Sequence, residues 1–291
     1  MECLNAGMSA QHTRKQLKLN LKNEDSFLDC LVSLRASLGR ESYTNMLKTV
    51  LKQGDWLLLS DLDQAAMWSD VSSIPTMIEQ FEAFPETLKD NHRSVVRRGV
   101  LFGFDVVVKR PIDKNRRIWA RLSSLLVESE AVATIANLTK LESAGIPSVR
   151  PLFALERRRF GMVVDSWMCY QYREGVPCGP EGRAVVIDML QRMHRAGFRH
   201  GDPSWNNFLI EDETELFTID TKARPCRGEF DATTDFLLLK HANKLSNFDI
   251  GDIATVNQSS IGYWIAVWYM KVKTFRSFLK SKIKKNRPKN I

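Results

Sequence analysis

The chain is poor in the residues that mark extracellular and membrane-spanning proteins. Its five cysteines (Cys3, Cys30, Cys169, Cys178 and Cys226) are odd in number, and they form no CxxC pair and no Cys/His cluster with zinc spacing. A disulfide framework or a structural metal is therefore not expected, and a reducing cytoplasm is the simplest home. No apolar run approaches the length needed to span a bilayer. The opening MECLNAGMSAQHTRKQ lacks the basic segment and apolar block of a signal peptide. No internal repeat is visible, which argues against a solenoid or a propeller.

Acid is missing from one region. Between Lys271 and Ile291 there are nine Lys or Arg and no Asp or Glu, which accounts for the net charge of +8. Such a tail seeks an anionic partner: a membrane surface, nucleic acid or an acidic substrate. The rest is ordinary. With 291 residues, 44% hydrophobic and 26% charged, the chain can bury a sizeable core in one large domain or two modest lobes.

Residues 1 to about 75 read as mainly helical, with Leu28, Leu31, Val32, Leu34 and Leu38 on one amphipathic face. The segment 72–94, with two prolines, reads as a connection. From 95 to 110 the period changes to two. Val100, Phe102, Phe104, Val106 and Val108 fall on one face, and Asp105, Val107 and Lys109 on the other, so a strand is expected with "SVVRRGVLFGF" as a hairpin partner. Residues 116–143 read as helical, with a stripe of Ile118, Leu122, Leu125 and Leu126 followed by Ala131, Ile135 and Leu138, and "SAGIP" ends it. "FGMVVDSWMCYQY" reads as a strand and "REGVPCGPEG" as a loop. Val186, Met189, Leu190 and Met193 mark a further helix that Gly197 ends.

The densest chemistry follows, in "FRHGDPSWNNFLI", residues 198–210. "FLI", the turn "EDET" and "ELFTID" read as a hairpin centred on Glu213 and Thr214. That register sets Asn207 opposite Asp220, with Cβ atoms about 5 Å apart. An amide oxygen and a carboxylate at that separation can share a hard cation such as Mg²⁺. Asp202 lies five residues before Asn207, where a carboxylate can orient a substrate hydroxyl. Gly201 permits an unusual backbone angle, and His200 reads as a brace for the loop.

The pattern H-x-D-x-x-x-x-N, followed after the hairpin by Ile-Asp, resembles the catalytic and metal loops of the protein-kinase-like fold. "HGD" in place of HRD is similar to its bacterial branch of small-molecule and lipopolysaccharide kinases. The resemblance implies an α+β chain with a small antiparallel-sheet N-lobe and a mainly helical C-lobe. The domains expected from it are an N-terminal extension at 1–90, an N-lobe at 91–173 and a C-lobe at 174–291. It implies ATP and Mg²⁺, with Asp202 and His200 in the catalytic loop and Asn207 and Asp220 as metal ligands. Lys109 would hold phosphates and Val107 would cover adenine. Glu128 or Glu130 of "VESEAV" would pair with Lys109, with Glu130 favoured by similarity. Backbone groups of about Gln171 to Arg173 would hold the adenine edge. Gly99 and Gly103 do not make a GxGxxG loop, and Arg97 and Arg98 are open to a phosphate role or to a solvated hairpin tip.

Residues 220–240 lack the activation segment and APE of protein kinases, so a peptide acceptor is disfavoured. Ile261, Trp264, Ile265, Trp268, Val272, Phe275, Leu279 and Ile283 recur at helical spacing. That stripe either lies on an anionic bilayer or packs on the core; nucleic acid is not expected, since no recognition module accompanies the charge. "HGD", "IDTK", "YREGVPC" and the aromatic, Lys-rich end over residues 95–285 resemble lipopolysaccharide core heptose kinases of Gram-negative bacteria. That resemblance implies transfer of the ATP γ-phosphate to a heptose hydroxyl of an anionic glycolipid, at the cytoplasmic face of the inner membrane. A soluble aminoglycoside- or choline-kinase-like phosphotransferase and a non-catalytic kinase-shaped scaffold are the alternatives.

Overall fold

The computed structural model describes residues 47–61, 64, 68, 71–211, 215–245 and 248–285, with Lys114 and 277–285 described by their backbone alone. The helix expected around Leu28 to Leu38 lies outside the described residues. The chain divides into two compact units. Unit 1 runs to Ala136 and resumes over Pro151–Tyr172; unit 2 comprises Asn137–Arg150 and Arg173–Ile291.

Unit 1 is built on an antiparallel sheet. Its elements in chain order are β1 (Leu47–Gln53), β2 (Trp56–Asp61), α1 (Ile74–Glu82), β3 (Glu86–Asp90), β4 (Val95–Leu101), β5 (Phe104–Arg110), α2 (Ile112–Arg116) and α3 (Ile118–Ser123). Then come the first half of α4 (Glu130–Ser143), β6 (Pro151–Arg159) and β7 (Met162–Gln171). The seven strands pair in the order β1-β2-β6-β7-β5-β4-β3.

Period two sorts the side chains between two layers. Val106 and Val108 join Phe81, Phe153 and Trp167 in a core under α1. Met168 and Ala154 join Ala131, Val132 and Ile135 of α4 in a core on the opposite face. Each fully buried large apolar side chain contributes roughly 1.5–3 kcal/mol through its removal from water.

Three sequence expectations change here. Residues 47–61, expected as part of a mainly helical extension, are strands that widen the sheet. The reason is burial on both faces: Leu58, Leu59 and Ser60 of β2 are all buried, so no alternation shows. The 72–94 segment is not a bare connection but holds α1 and β3. Ser73 caps α1 by accepting from Thr76 N, and a proline occupies the first turn, where its missing N–H costs nothing. The helix expected over 116–143 is broken, because Ser123 and Ser124 turn their hydroxyls onto the carbonyls of Ala120 and Arg121. It restarts at Glu130, where Ser129 Oγ accepts from Val132 N. Ile118, Trp119 and Leu122 are left exposed.

The strand expected through Val100 and Phe102 turns at Phe102–Gly103, both at positive φ, and pairs with β4 as the hairpin anticipated. Gly99 is a packing glycine rather than part of a phosphate loop: a Cβ there would sit 2.5 Å from the Phe84 ring.

Unit 2 is mainly helical. It holds the rest of α4, then β8 (Val176–Pro177), α5 (Arg183–Arg195), β9 (Phe198–Arg199), β10 (Phe208–Glu211), β11 (Glu215–Thr218) and β12 (Arg224–Pro225), followed by α6 (Glu229–Ala242) and α7 (Ile261–Lys285). Val186, Met189, Leu190 and Met193, the stripe read from sequence, are all buried on α5. Gly197, just beyond that helix, has φ +83. β10 pairs with β11 and β8, and β9 with β12. Among the described residues no helix is long and apolar enough to cross a membrane.

Candidate active site

The loop between β9 and β10 is held from both ends. β9 pairs with β12, so His200 emerges beside Thr221 and Lys222. Its carbonyl accepts from Lys222 N at 3.0 Å and from Thr221 Oγ1 at 3.3 Å. The backbone N–H groups of His200 and Gly201 both donate to one carboxylate, that of Asp235 on α6, at 2.6 and 2.9 Å. Asp235 is fully buried and also lies 3.1 Å from His194 Nε2. A buried carboxylate persists only where such donors satisfy it.

His200 is a brace, as its neighbours show. Nδ1 accepts from Asp202 N at 3.3 Å, which places the ring proton on Nε2. Nε2–H then donates to Thr218 Oγ1 at 2.7 Å, and the Thr218 hydroxyl donates to the Asn207 carbonyl at 3.2 Å. Burial lowers the His200 pKa from 6.5 to about 4, against the raising influence of Asp235, Asp202 and Asp220. The imidazole is thus neutral at neutral pH, and its ring nitrogens are committed to Asp202 N and Thr218. A proton-transfer role is not what this geometry provides.

Asn207 and Asp220 are not cross-strand partners. The observed pairs are Phe208↔Thr218, Leu209↔Phe217, Ile210↔Leu216 and Glu211↔Glu215, a slip of one residue from the expected register. Three residues rather than two lie between the paired ends, and the Glu-Thr pair at the expected centre has no glycine or asparagine to enforce a tight turn. Asn207 ends a 3-10 turn, Trp205–Asn207, and Asp220 follows the end of β11.

The two are nonetheless brought close by other means. Ile219 N donates to Asn207 O at 2.9 Å, so Asp220 follows directly on a residue bonded to Asn207. Asp220 takes φ +48, a left-handed conformation that aspartate tolerates better than most residues, and its side chain is exposed. Asn207 Nδ2 donates to Asp202 O at 2.8 Å, which leaves its amide oxygen as the group to offer a cation. Asp202 is exposed at the same loop.

Among the described residues no three His, Cys, Asp or Glu side chains converge on a metal position. An Asn–Asp pair still suits Mg²⁺, which commonly takes one or two protein oxygens and completes its shell with phosphate and water. The donor set fits that ion when a nucleotide supplies the remaining oxygens.

The other sequence candidates belong mainly to unit 1. Lys109 lies in β5 between Val96 of β4 and Met168 of β7. Directly paired residues share a face, so Lys109 points to the Met168 side, on which α4 packs. Val107 is buried on that same face. Glu130 is the first residue of α4, whereas Glu128 precedes the Ser129 cap. Gln171 ends β7 opposite Val106. Arg97 Nη1 donates to Glu82 O at 2.8 Å. Arg98 pairs with Asp105 at 2.7 Å and lies 3.5 Å from the centre of the Tyr172 ring, so both arginines are held within the sheet unit. Arg173 opens the second segment of unit 2, bonded to Glu211 at 2.6 Å and Glu215 at 2.7 Å over the Phe217 ring. Its side chain is thereby occupied, so any adenine contact there falls to the backbone.

Sequence reasoning missed Asp235, Thr218 and His194. The one available signal was an acid set directly before an apolar run in "TTDFLLL". No family model and no curated protein matches the chain. Among solved structures it is similar to "WaaP in complex with acyl carrier protein", at 16% identity over 78% of this chain and 96% of that one, with a TM-score of 0.42. It is also similar to a MAP kinase of Leishmania major, LmaMPK10, at 13% identity over 53% of this chain and 51% of that one, with a TM-score of 0.33. An antiparallel-sheet unit carrying a strand lysine, then a mainly helical unit whose H-x-D loop precedes the β10–β11 hairpin, is the α+β order of elements expected from the sequence.

Proposed function

We propose that the chain is an ATP-dependent phosphotransferase acting on an alcohol. The observation that carries the reading is the bonded loop of unit 2. Asp235 holds the backbone at His200 and Gly201, and His200 links Asp202 through Thr218 to Asn207. Phosphoryl transfer needs positioning and charge neutralisation more than covalent chemistry, and a rigid loop serves positioning.

Asp202, exposed and fixed by its own backbone, orients the acceptor hydroxyl and takes up its proton as that oxygen bonds the γ-phosphorus, whose bond to the bridging oxygen breaks to release ADP. Asn207 and Asp220 hold Mg²⁺, which supplies neutralisation of the phosphate charge when bound. Lys109 binds the nucleotide phosphates and is oriented by Glu130. Val107 covers the adenine, whose edge meets backbone groups from Gln171 to Arg173.

The acceptor we infer is a heptose hydroxyl of the lipopolysaccharide inner core, an anionic glycolipid, reached by a peripheral enzyme at the inner face of the inner membrane. The support for a membrane surface is α7. Ala266 and Met270 are buried, whereas Ile261, Trp264, Ile265, Trp268 and Phe275 are exposed, with Trp264 at 62% and Trp268 at 65%. At 100° per residue the exposed set forms one stripe opposite the packed one, flanked by Lys271 and Arg276. A basic helix with its aromatics outward suits an anionic interface. The side chains of Leu279 and Ile283 lie outside those described.

The test is to incubate the protein with Mg-ATP and phosphate-poor, heptose-containing core lipopolysaccharide and to follow the product mass. A gain of one phosphate is expected, with Asp202→Asn lowering the rate by roughly 10²–10⁴-fold. An active enzyme indifferent to that substitution would sink the assignment of Asp202.

A further inference from the structure

α6 and α7 begin in close contact. A Cβ on Gly262 would lie 3.1 Å from Phe230 N and 3.2 Å from Glu229 Cβ, and the Phe230 and Tyr269 rings meet at 5.9 Å. Farther along the pair lies an open groove of about 1050 Å³. That is just above the roughly 300–1,000 Å³ typical of small-molecule sites. Its floor is apolar, formed by Leu237 and Leu245 with Val267 and Met270. Its rim carries Lys240, His241, Lys244 and Lys271, and no carboxylate lines it. Among the described residues no ion pair joins these three lysines to an acid. Lys240 and His241 sit in the last turn of α6, where they also balance the helix dipole. Lys271 lies in the body of α7 and has no such reason to be there.

We propose that this groove takes one acyl chain of an anionic membrane lipid, with the lysines of the rim on its phosphate. Apolar depth selects the chain, and a cationic, acid-free rim selects the headgroup charge. Phe275 belongs both to the groove wall and to the exposed stripe of α7, so the groove opens beside the surface expected to meet the bilayer. The inference stands on the groove and does not require phosphotransfer.

The experiment uses the full chain without ATP and titrates lauroyl lysophosphatidylglycerol below its micelle concentration, with lauroyl lysophosphatidylcholine, whose headgroup has no net charge, as the control, by calorimetry. Saturable one-to-one binding is expected, roughly tenfold or more tighter for the anionic lipid, since each lysine near a lipid phosphate is worth about 1 kcal/mol. The triple substitution Lys240→Gln, Lys244→Gln, Lys271→Gln removes that preference, and Val267→Trp, which fills the groove, removes binding of both lipids. Trp268→Ala, on the stripe, leaves binding of the monomeric lipid unchanged, which separates the groove from bilayer docking. Should Val267→Trp not fold, the surface lysine variant decides alone. Equal affinity for the two lipids, no saturable binding, or a preference that survives the lysine substitutions would overturn the proposal. So would a dimer in sedimentation that Val267→Trp dissolves, because the groove would then belong to a second copy of the chain.

Discussion

Asp235 receives two backbone N–H groups and faces His194 with no solvent access, so it governs the loop without belonging to it. Replacing it with Asn turns an acceptor-only group into one that presents N–H to other donors. Each buried donor left unsatisfied costs about 1–3 kcal/mol. Asp235→Asn should therefore lower stability by about 2–4 kcal/mol in chemical denaturation. In the phosphotransfer assay it should reduce kcat more than it changes KM, because it shifts the loop that carries Asp202 and leaves unit 1 untouched.

His200 adds a pH dependence whose sign is determined by its lowered pKa of about 4. Above pH 6.5 the imidazole is neutral folded or unfolded, and it has no effect. Between 6.5 and about 4 the unfolded chain binds the proton and the folded chain does not, so stability falls as pH falls. The full loss is roughly 3 kcal/mol, complete below pH 4. Denaturation midpoints at pH 7.5 and 5 should differ more for the native chain than for His200→Gln, whose side chain does not titrate. Equal slopes would assign the acid sensitivity elsewhere.

Among the elements, the β4–β5 hairpin shows the clearest steric demand. Gly99 faces the Phe84 ring so closely that even a methyl must displace it. Gly99→Ala should cost about 1–3 kcal/mol, as overpacked cores do, measured by the shift in denaturant midpoint. Gly103→Ala meets open space but sits at φ +82, so it is penalised by backbone strain alone and should cost less. The two glycines were read together from sequence as a poor phosphate loop, yet one serves packing and the other a turn. α4 is a similar case. Its start depends on Ser129 and on the Glu156 carboxylate, which accepts from Ser129 N at 3.2 Å from a strand 27 residues away. No periodicity in the helix itself announces that boundary.

At the scale of the molecule, the proposed membrane contact is tested on α7. Trp264→Ala with Trp268→Ala removes two rings from the exposed stripe and none from the buried side of the helix, where Ala266 and Met270 pack. The thermal midpoint should hardly move. Flotation with anionic liposomes should fall, and added salt should weaken what remains, as screening of Lys271, Lys273 and Arg276 requires. A large loss of stability instead would mean that the stripe packs on protein.

The elements that the chain spelled out by itself are those whose pattern is local. Alternation in β5 assigned Val106 and Val108 to one layer and Val107 and Lys109 to the other. Helical spacing identified the buried face of α5, and the H-x-D-x-x-x-x-N run identified the loop. Tertiary structure alone decided the rest. β2, buried on both faces, shows no alternation; the β10–β11 register is set by no glycine or asparagine between the strands; and α3, with an apolar spacing like that of a core helix, leaves Ile118 and Trp119 in solvent. The same holds for the brace of the site. Asp235 meets His200 and Gly201 across 35 and 34 residues, and a hydrogen bond of that span is a property of folded coordinates, invisible in any window of sequence. Local periodicity reports which face a residue turns to the core, and only the packed chain reports what it meets there.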